Sequence, residues 1–126
     1  MLKQYLITLV IFLVIDGLWL AFVAQNMFKQ EIGSILEEPR MIYALIFYAA
    51  YPLAIVVFAL APSLEAKNLT KAIMLGAFLG FIAYGTYELT NMATLKDWTL
   101  KLVVVDLIWG SFVTAITAAI SYHFNS

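Results

Sequence analysis

The sequence contains no cysteine and a single histidine, His123. The absence of cysteine excludes disulfide bonds, thiolate metal sites, covalent haem attachment and a cysteine nucleophile. Membrane desaturases and hydroxylases are excluded as well, because they need several histidines as iron ligands. The G-x-S-x-G elbow, the phosphate-binding glycine loop and the H-E-x-x-H zinc motif are also missing. We therefore expect no cofactor and no bound metal.

Charged residues are scarce too. They make up 12% of the 126 residues, whereas 64% are hydrophobic, and the mean hydropathy is +0.95. A soluble domain usually has about 25% charged residues, so this chain cannot cover a globule with polar surface. The formal net charge of −1 provides no basic footprint for nucleic acid. The expected partner is the lipid bilayer.

Four apolar runs, at about 5–24, 41–61, 72–95 and 100–122, are long enough to cross the bilayer, which takes about 20 helical residues. None shows the alternation of a membrane strand, so helices are predicted. The fold class that follows is an all-α integral membrane protein. It forms a four-transmembrane-helix bundle, with residues 1–126 as one transmembrane domain.

The first connection, residues 25–40, is polar and charged, and it predicts a short interfacial helix. The apolar side of that helix would carry Met27, Phe28, Ile32, Ile35 and Leu36. Arg40 follows as a candidate counter-ion for a buried carboxylate. Pro52, within the second span, predicts a kink that frees the carbonyl of Tyr48.

Three carboxylates interrupt the apolar runs: Asp16, Glu88 and Asp106. An ionisable group within a membrane segment costs roughly 2.5–3.5 kcal/mol on insertion scales and marks a functional-site candidate. Counted from the nearest end of each span at about 1.5 Å per residue, all three lie roughly 9–12 Å inside the same face of the membrane. Carboxylates gathered in a low dielectric cannot all ionise, so at least one is expected to hold a proton.

Aromatic and polar side chains accompany the carboxylates. Tyr43, Phe47 and Tyr51 recur at i+4 in the matching half of the second span. The pattern D-x-x-W-x-x-F-V occurs in both the first and fourth spans and places each tryptophan one turn from its aspartate. The candidate ligand-binding or proton-coupling residues are Asp16, Trp19, Tyr48, Tyr51, Tyr84, Tyr87, Glu88, Asn91, Asp106 and Trp109.

Small and polar residues recur along the third and fourth spans. Gly76 and Gly80 form a small-xxx-small pair, where a neighbouring backbone approaches closely. The fourth span carries a stripe made of Asp106, Gly110, Thr114, Thr117 and Ser121. Both stripes are expected to face the interior of the bundle.

The run YGTYELTNMATLKDW at 84–98, followed by Val-x-Asp106-x-x-Trp109-Gly, resembles a bacterial membrane-protein family, domain of unknown function 2177. Asp16 and the Tyr51-Pro52 pair fit the same family, so the resemblance extends over nearly the whole chain. It implies a small multi-helix protein of the bacterial inner membrane and carries no catalytic assignment.

Three functions are compatible with these observations. The leading hypothesis is binding or transport of a small amphipathic or cationic molecule at the carboxylate and aromatic site; transport would need a homodimer, because four helices enclose little volume. The second is a lipid- or isoprenoid-modifying enzyme that uses the same carboxylates as acid and base. The third is a structural or accessory subunit in which the polar groups form one network. Replacing a carboxylate by its amide separates these hypotheses.

Overall fold

The computed structural model describes residues 1–33 and 41–126, and these contain four helices long and apolar enough to cross a membrane. We label them α1 (Leu2–Ile32), α2 (Met41–Ala66), α3 (Leu69–Thr94) and α4 (Leu100–Asn125). The described residues contain no strand. The predicted all-α fold with four transmembrane helices is confirmed.

Helix α1 continues well beyond its predicted apolar span. It becomes π-helical at Leu20–Ala24 and then runs on as an α-helix through Gln25–Ile32. Its 31 residues correspond to about 46 Å at 1.5 Å per residue, more than the hydrocarbon thickness of about 30 Å. Within the described part of 25–40 the predicted short helix is therefore present at Gln25–Ile32, as a continuation of α1.

Packing explains why α1 continues. Met27 and Ile32 are buried against Trp98, Leu102 and Val103, at the start of α4 and in the turn before it. Their apolar side chains therefore contact protein instead of lipid head groups, and the helix extends to make that contact. The predicted roles of Ile35, Leu36 and Arg40 concern residues outside the described part.

Helix α2 contains Pro52 in its interior and becomes π-helical at Val56–Leu60. It ends where Lys67 adopts the left-handed conformation (φ 53°). The Asn68 side chain then caps α3 by accepting from the backbone N–H of Lys71 at 3.2 Å, as N-cap residues do. The second connection is consequently only Lys67 and Asn68, shorter than the interval 62–71 between the predicted spans.

Helices α3 and α4 approach each other most closely through glycine. A Cβ on Gly80 would lie 2.0 Å from the carbonyl oxygen of Gly110, and one on Gly110 would lie 2.2 Å from Cγ of Tyr84. The α4 stripe faces inwards as predicted, and its members Asp106, Gly110, Thr114, Thr117 and Ser121 are all buried. Backbone proximity thus brings the Tyr84 side of α3 against the Asp106 side of α4.

Replacing Gly80 with alanine should destabilise this contact. The new methyl group meets backbone atoms, which cannot move aside as a flexible side chain would, so we expect a loss of about 1–3 kcal/mol. The matched control is Gly17→Ala, where the added Cβ meets nothing within 4 Å. Unfolding of both variants in one detergent measures the effect, and equal stabilities would contradict it.

Two buried pairs of hydroxyl groups join α1 and α2 to α4. Thr8 Oγ1 and Ser121 Oγ are 2.7 Å apart, and Tyr51 Oη and Thr114 Oγ1 are also 2.7 Å apart. Hydrogen bonds between transmembrane helices satisfy groups for which lipid offers no partner. These pairs fix the register of α1 and α2 against α4, and therefore the relative heights of the acidic residues.

Candidate functional site

Asp16 of α1 lies where three helices meet. Its Oδ2 accepts a hydrogen bond from the Tyr48 hydroxyl of α2 at 2.5 Å, and its Oδ1 accepts one from Nε1 of Trp109 of α4 at 3.1 Å. The residue is 5% exposed. Both donors are neutral, so they orient the carboxylate without cancelling a negative charge.

The repeated D-x-x-W pattern brings two indole rings together. Trp19 and Trp109 are stacked with centroids 4.3 Å apart and planes 7° from parallel. Helices α1 and α4 are antiparallel, because Thr8 pairs with Ser121 while the later residue Asp16 pairs with the earlier Trp109. Trp109 consequently serves the aspartate of the other helix, and the stacked rings form a flat wall beside Asp16.

Glu88 of α3 is completely buried. Its Oε1 accepts a hydrogen bond from Nε1 of Trp98 at 3.0 Å, whereas its Oε2 has no partner among the described residues. The carboxyl group of Asp106 lies beside the Glu88 side chain. Two neighbouring carboxyl groups in a low dielectric cannot both ionise cheaply, so we expect this pair to share a proton.

The indole N–H of Trp98 donates the hydrogen bond to the buried Glu88. Replacing Trp98 with phenylalanine therefore tests how much this hydrogen bond stabilises the fold. Phenylalanine keeps most of the ring's burial but leaves Glu88 Oε1 without its bond, so we expect a loss of about 1–3 kcal/mol. Thermal unfolding in detergent measures it. The loss should largely disappear when Trp98→Phe is made in a Glu88→Leu background, and an undiminished loss would assign the effect to packing alone.

A cavity of about 340 Å³ lies between the four helices next to Asp16. Seven of the ten predicted candidates line it: Asp16, Trp19, Tyr48, Tyr84, Tyr87, Asp106 and Trp109. Its wall also contains Leu20, Ala24, Phe28, Phe47 and Ala83. The cavity therefore combines two carboxylates with a wall of aromatic rings.

The other three candidates lie outside the wall. Tyr51 stands behind it, bonded to Thr114 and packed edge-on against Tyr84 with centroids 6.1 Å apart. Glu88 reaches the cavity only through its neighbour Asp106. Asn91 lies one turn beyond Tyr87 and is half-buried.

Phe28 and Phe47 also line the cavity, although the sequence analysis did not name them as candidates. Phe28 reaches the cavity only because α1 continues past its apolar span, which hydropathy does not indicate. Phe47 could have been chosen from the i+4 aromatic row. Tyr43, in the same row, is 64% exposed, since it lies a turn closer to the end of α2, and it does not join the site.

No lysine or arginine is among the described residues that line the cavity. In residues 1–33 and 41–126 the one ion pair joins Lys101 Nζ to Glu31 Oε1 at 3.5 Å. Lys101 is 62% exposed, so the pair contributes little. No group of three or more acidic or histidine side chains in the described part is placed to hold a metal ion. An acidic aromatic cavity of this kind is suited to an organic cation.

The helices and their buried polar layer define a multi-pass helical membrane protein. A family model described as a predicted membrane protein, DUF2177, matches residues 1–123. The chain therefore belongs to the DUF2177 family. No curated protein and no solved structure matches it significantly.

Proposed function

We propose that this protein binds a small organic cation in the cavity beside Asp16, and that binding serves its sequestration or transport in the membrane. The observation that carries the proposal is the placement of the Asp16 carboxylate. Among the described residues it is held only by the neutral donors Tyr48 and Trp109, in the wall of a cavity that Asp106 and several aromatic rings also line. A cation in that cavity would supply the charge that these donors lack.

The aromatic wall supports a cationic ligand over a neutral one. A cation within about 6 Å of a ring face gains about 0.5–2 kcal/mol, most strongly from tryptophan. Trp19 and Trp109 are stacked beside the carboxylate, and Tyr84 lines the same cavity as Asp16 and Asp106. Rings and carboxylates thus favour the same charge at the same place.

Intrinsic fluorescence tests the proposal, because Trp19 and Trp109 line the cavity. We expect a saturable fluorescence change when tetramethylammonium chloride is added to protein purified in dodecyl maltoside. Sodium chloride at equal ionic strength and the neutral tert-butanol should give none. A change that grows linearly without saturating, or one reproduced by sodium chloride, would contradict the proposal.

The Glu88–Asp106 pair favours a second candidate, an enzyme acting on a lipid or isoprenoid. A shared proton next to the cavity would let Asp106 serve as general acid. Incubation with membrane lipids followed by mass spectrometry separates the two functions, because an enzyme changes the mass of a lipid with time whereas a binding protein does not.

Location and assembly complete the proposal. The four spans and the membrane family support a multi-pass protein, for which we propose the bacterial inner membrane. We also propose that transport, if it follows binding, uses a homodimer, since a single cavity of about 340 Å³ forms no continuous path by itself. Native mass spectrometry from the membrane would give the mass of the assembly.

A further inference from the structure

Helices α2 and α3 pack together along only part of their length. The π-helical stretch Val56–Leu60 of α2 lies against α3, whereas the earlier part, Met41–Ile55, packs mainly on α1. Within 41–50, Ala44 and Tyr48 are the only residues that are not exposed. The two helices therefore diverge towards the membrane face at which α2 begins and α3 ends.

The divergence begins just past the Tyr51–Tyr84 contact. Phe47 and Tyr87 follow, each about one turn closer to that membrane face. The ring of Phe47 stacks back on Tyr51 with centroids 5.1 Å apart, and the ring of Tyr87 packs edge-on against Trp98 at 5.7 Å. The Phe47 ring therefore packs back on α2, and the Tyr87 ring packs on the turn between α3 and α4.

Both rings border the cavity and the outside of the bundle at once. Phe47 and Tyr87 line the cavity but remain 42% and 52% exposed. Counted from the ends of α2 and α3, they lie roughly 9–12 Å inside the membrane face. The gap between them, which we call the α2–α3 cleft, therefore opens into lipid.

The end of the cavity nearest that membrane face is covered by protein. Ala24 and Phe28, from the continuation of α1, form part of the wall there. Phe28 packs against Trp98 with centroids 6.3 Å apart, and Met27 and Ile32 fasten the same helical segment to α4. The lateral cleft is consequently a more open route than this covered end.

We infer that the ligand is a single-chain amphiphile whose cationic head lies beside Asp16 and whose alkyl chain leaves through the α2–α3 cleft into the bilayer. The inference rests on the proposed function and specifies its ligand class. The cavity of about 340 Å³ is near the lower limit of ligand pockets, about 300 Å³, which suits a head group with the chain outside. The apolar flanks of Phe47 and Tyr87 provide the chain's path.

Photoaffinity labelling of the wild-type protein tests the route of the chain. The probe is dodecyltrimethylammonium with a diazirine in the middle of its chain, and the competitor is tetramethylammonium, which occupies only the head-group site. We expect adducts on α2 and α3 around Phe47 and Tyr87, reduced at least about tenfold by a competitor concentration that saturates the fluorescence change.

The other outcomes separate the two proposals. Competed adducts on another surface, such as the α3–α4 groove beside Phe81 and Phe112, would overturn the cleft and leave cation binding intact. A saturable tetramethylammonium signal with no competed adducts would likewise overturn the cleft. The absence of both signals would overturn cation binding itself.

A single-cysteine series gives a second test, because the chain has no cysteine of its own. Phe47→Cys modified with a bulky aryl maleimide should weaken the dodecyl probe at least about tenfold more than tetramethylammonium. The matched control is Phe58→Cys, on the same helix but outside the cleft and 62% exposed, and its modification should affect neither ligand. Equal changes in both ligands at Phe47→Cys would overturn the inference.

Discussion

Replacing Asp16 with asparagine is expected to weaken tetramethylammonium binding by about 30- to 4,000-fold without unfolding the bundle. Removing one partner of a buried charge pair costs about 2–5 kcal/mol, which corresponds to that range. The amide is nearly the same size as the carboxylate. Its oxygen still accepts from Trp109, and its NH₂ can donate to the Tyr48 hydroxyl oxygen. The charge is therefore lost while the geometry is kept.

Fluorescence titration of the purified variant measures this loss, and helix content with thermal unfolding reports on the fold. Glu65→Gln is the matched control, since Glu65 is an exposed carboxylate near the opposite end of α2. It should bind as wild type does. A folded Asp16→Asn variant with unchanged affinity would show that Asp16 does not hold the cation.

The same variant distinguishes a ligand site from a structural network. If the buried polar groups served stability alone, Asp16→Asn would lower the unfolding temperature, and the wild type would bind no cation. If they serve binding, affinity falls far more than stability. We expect the second result, a loss of affinity, because both donors to Asp16 are neutral.

Hydropathy and helix geometry predicted the spans and the acidic layer. These features follow from local quantities: about 20 apolar residues cross the bilayer, and about 1.5 Å of rise per residue places Asp16, Glu88 and Asp106 at one depth. In the structure Asp16 and Asp106 line one cavity, and Glu88 lies beside Asp106. Their common depth in the membrane stays a prediction.

The assignment of donors could not be predicted in this way. Trp109 lies one turn from Asp106 on its own helix, yet it bonds to Asp16 across the bundle. The choice depends on the approach of α1 to α4, which the Thr8–Ser121 pair helps to set. The continuation of α1 could not be predicted from local sequence either, because the burial of Met27 and Ile32 depends on residues far along the chain.

Replacing Glu88 with alanine is expected to cause the largest loss of stability, about 3–5 kcal/mol. The change leaves an apolar cavity and removes the acceptor of the buried Trp98 indole, and these costs add. Glu88→Gln should cost less than about 1 kcal/mol. Its carbonyl oxygen still accepts from Trp98, and its NH₂ supplies Asp106 with the donor that a shared proton would provide.

Denaturant unfolding of wild type, Glu88→Gln and Glu88→Ala in one detergent gives the comparison. If the glutamine variant is as stable as wild type, one member of the Glu88–Asp106 pair is a neutral acid and the other is a carboxylate. The negative charges that attract the ligand are then that carboxylate and Asp16. A glutamine variant as unstable as Glu88→Ala would contradict the shared proton. Glu88 would then be needed as an anion, and the protein would have to compensate two adjacent negative charges at the cavity wall.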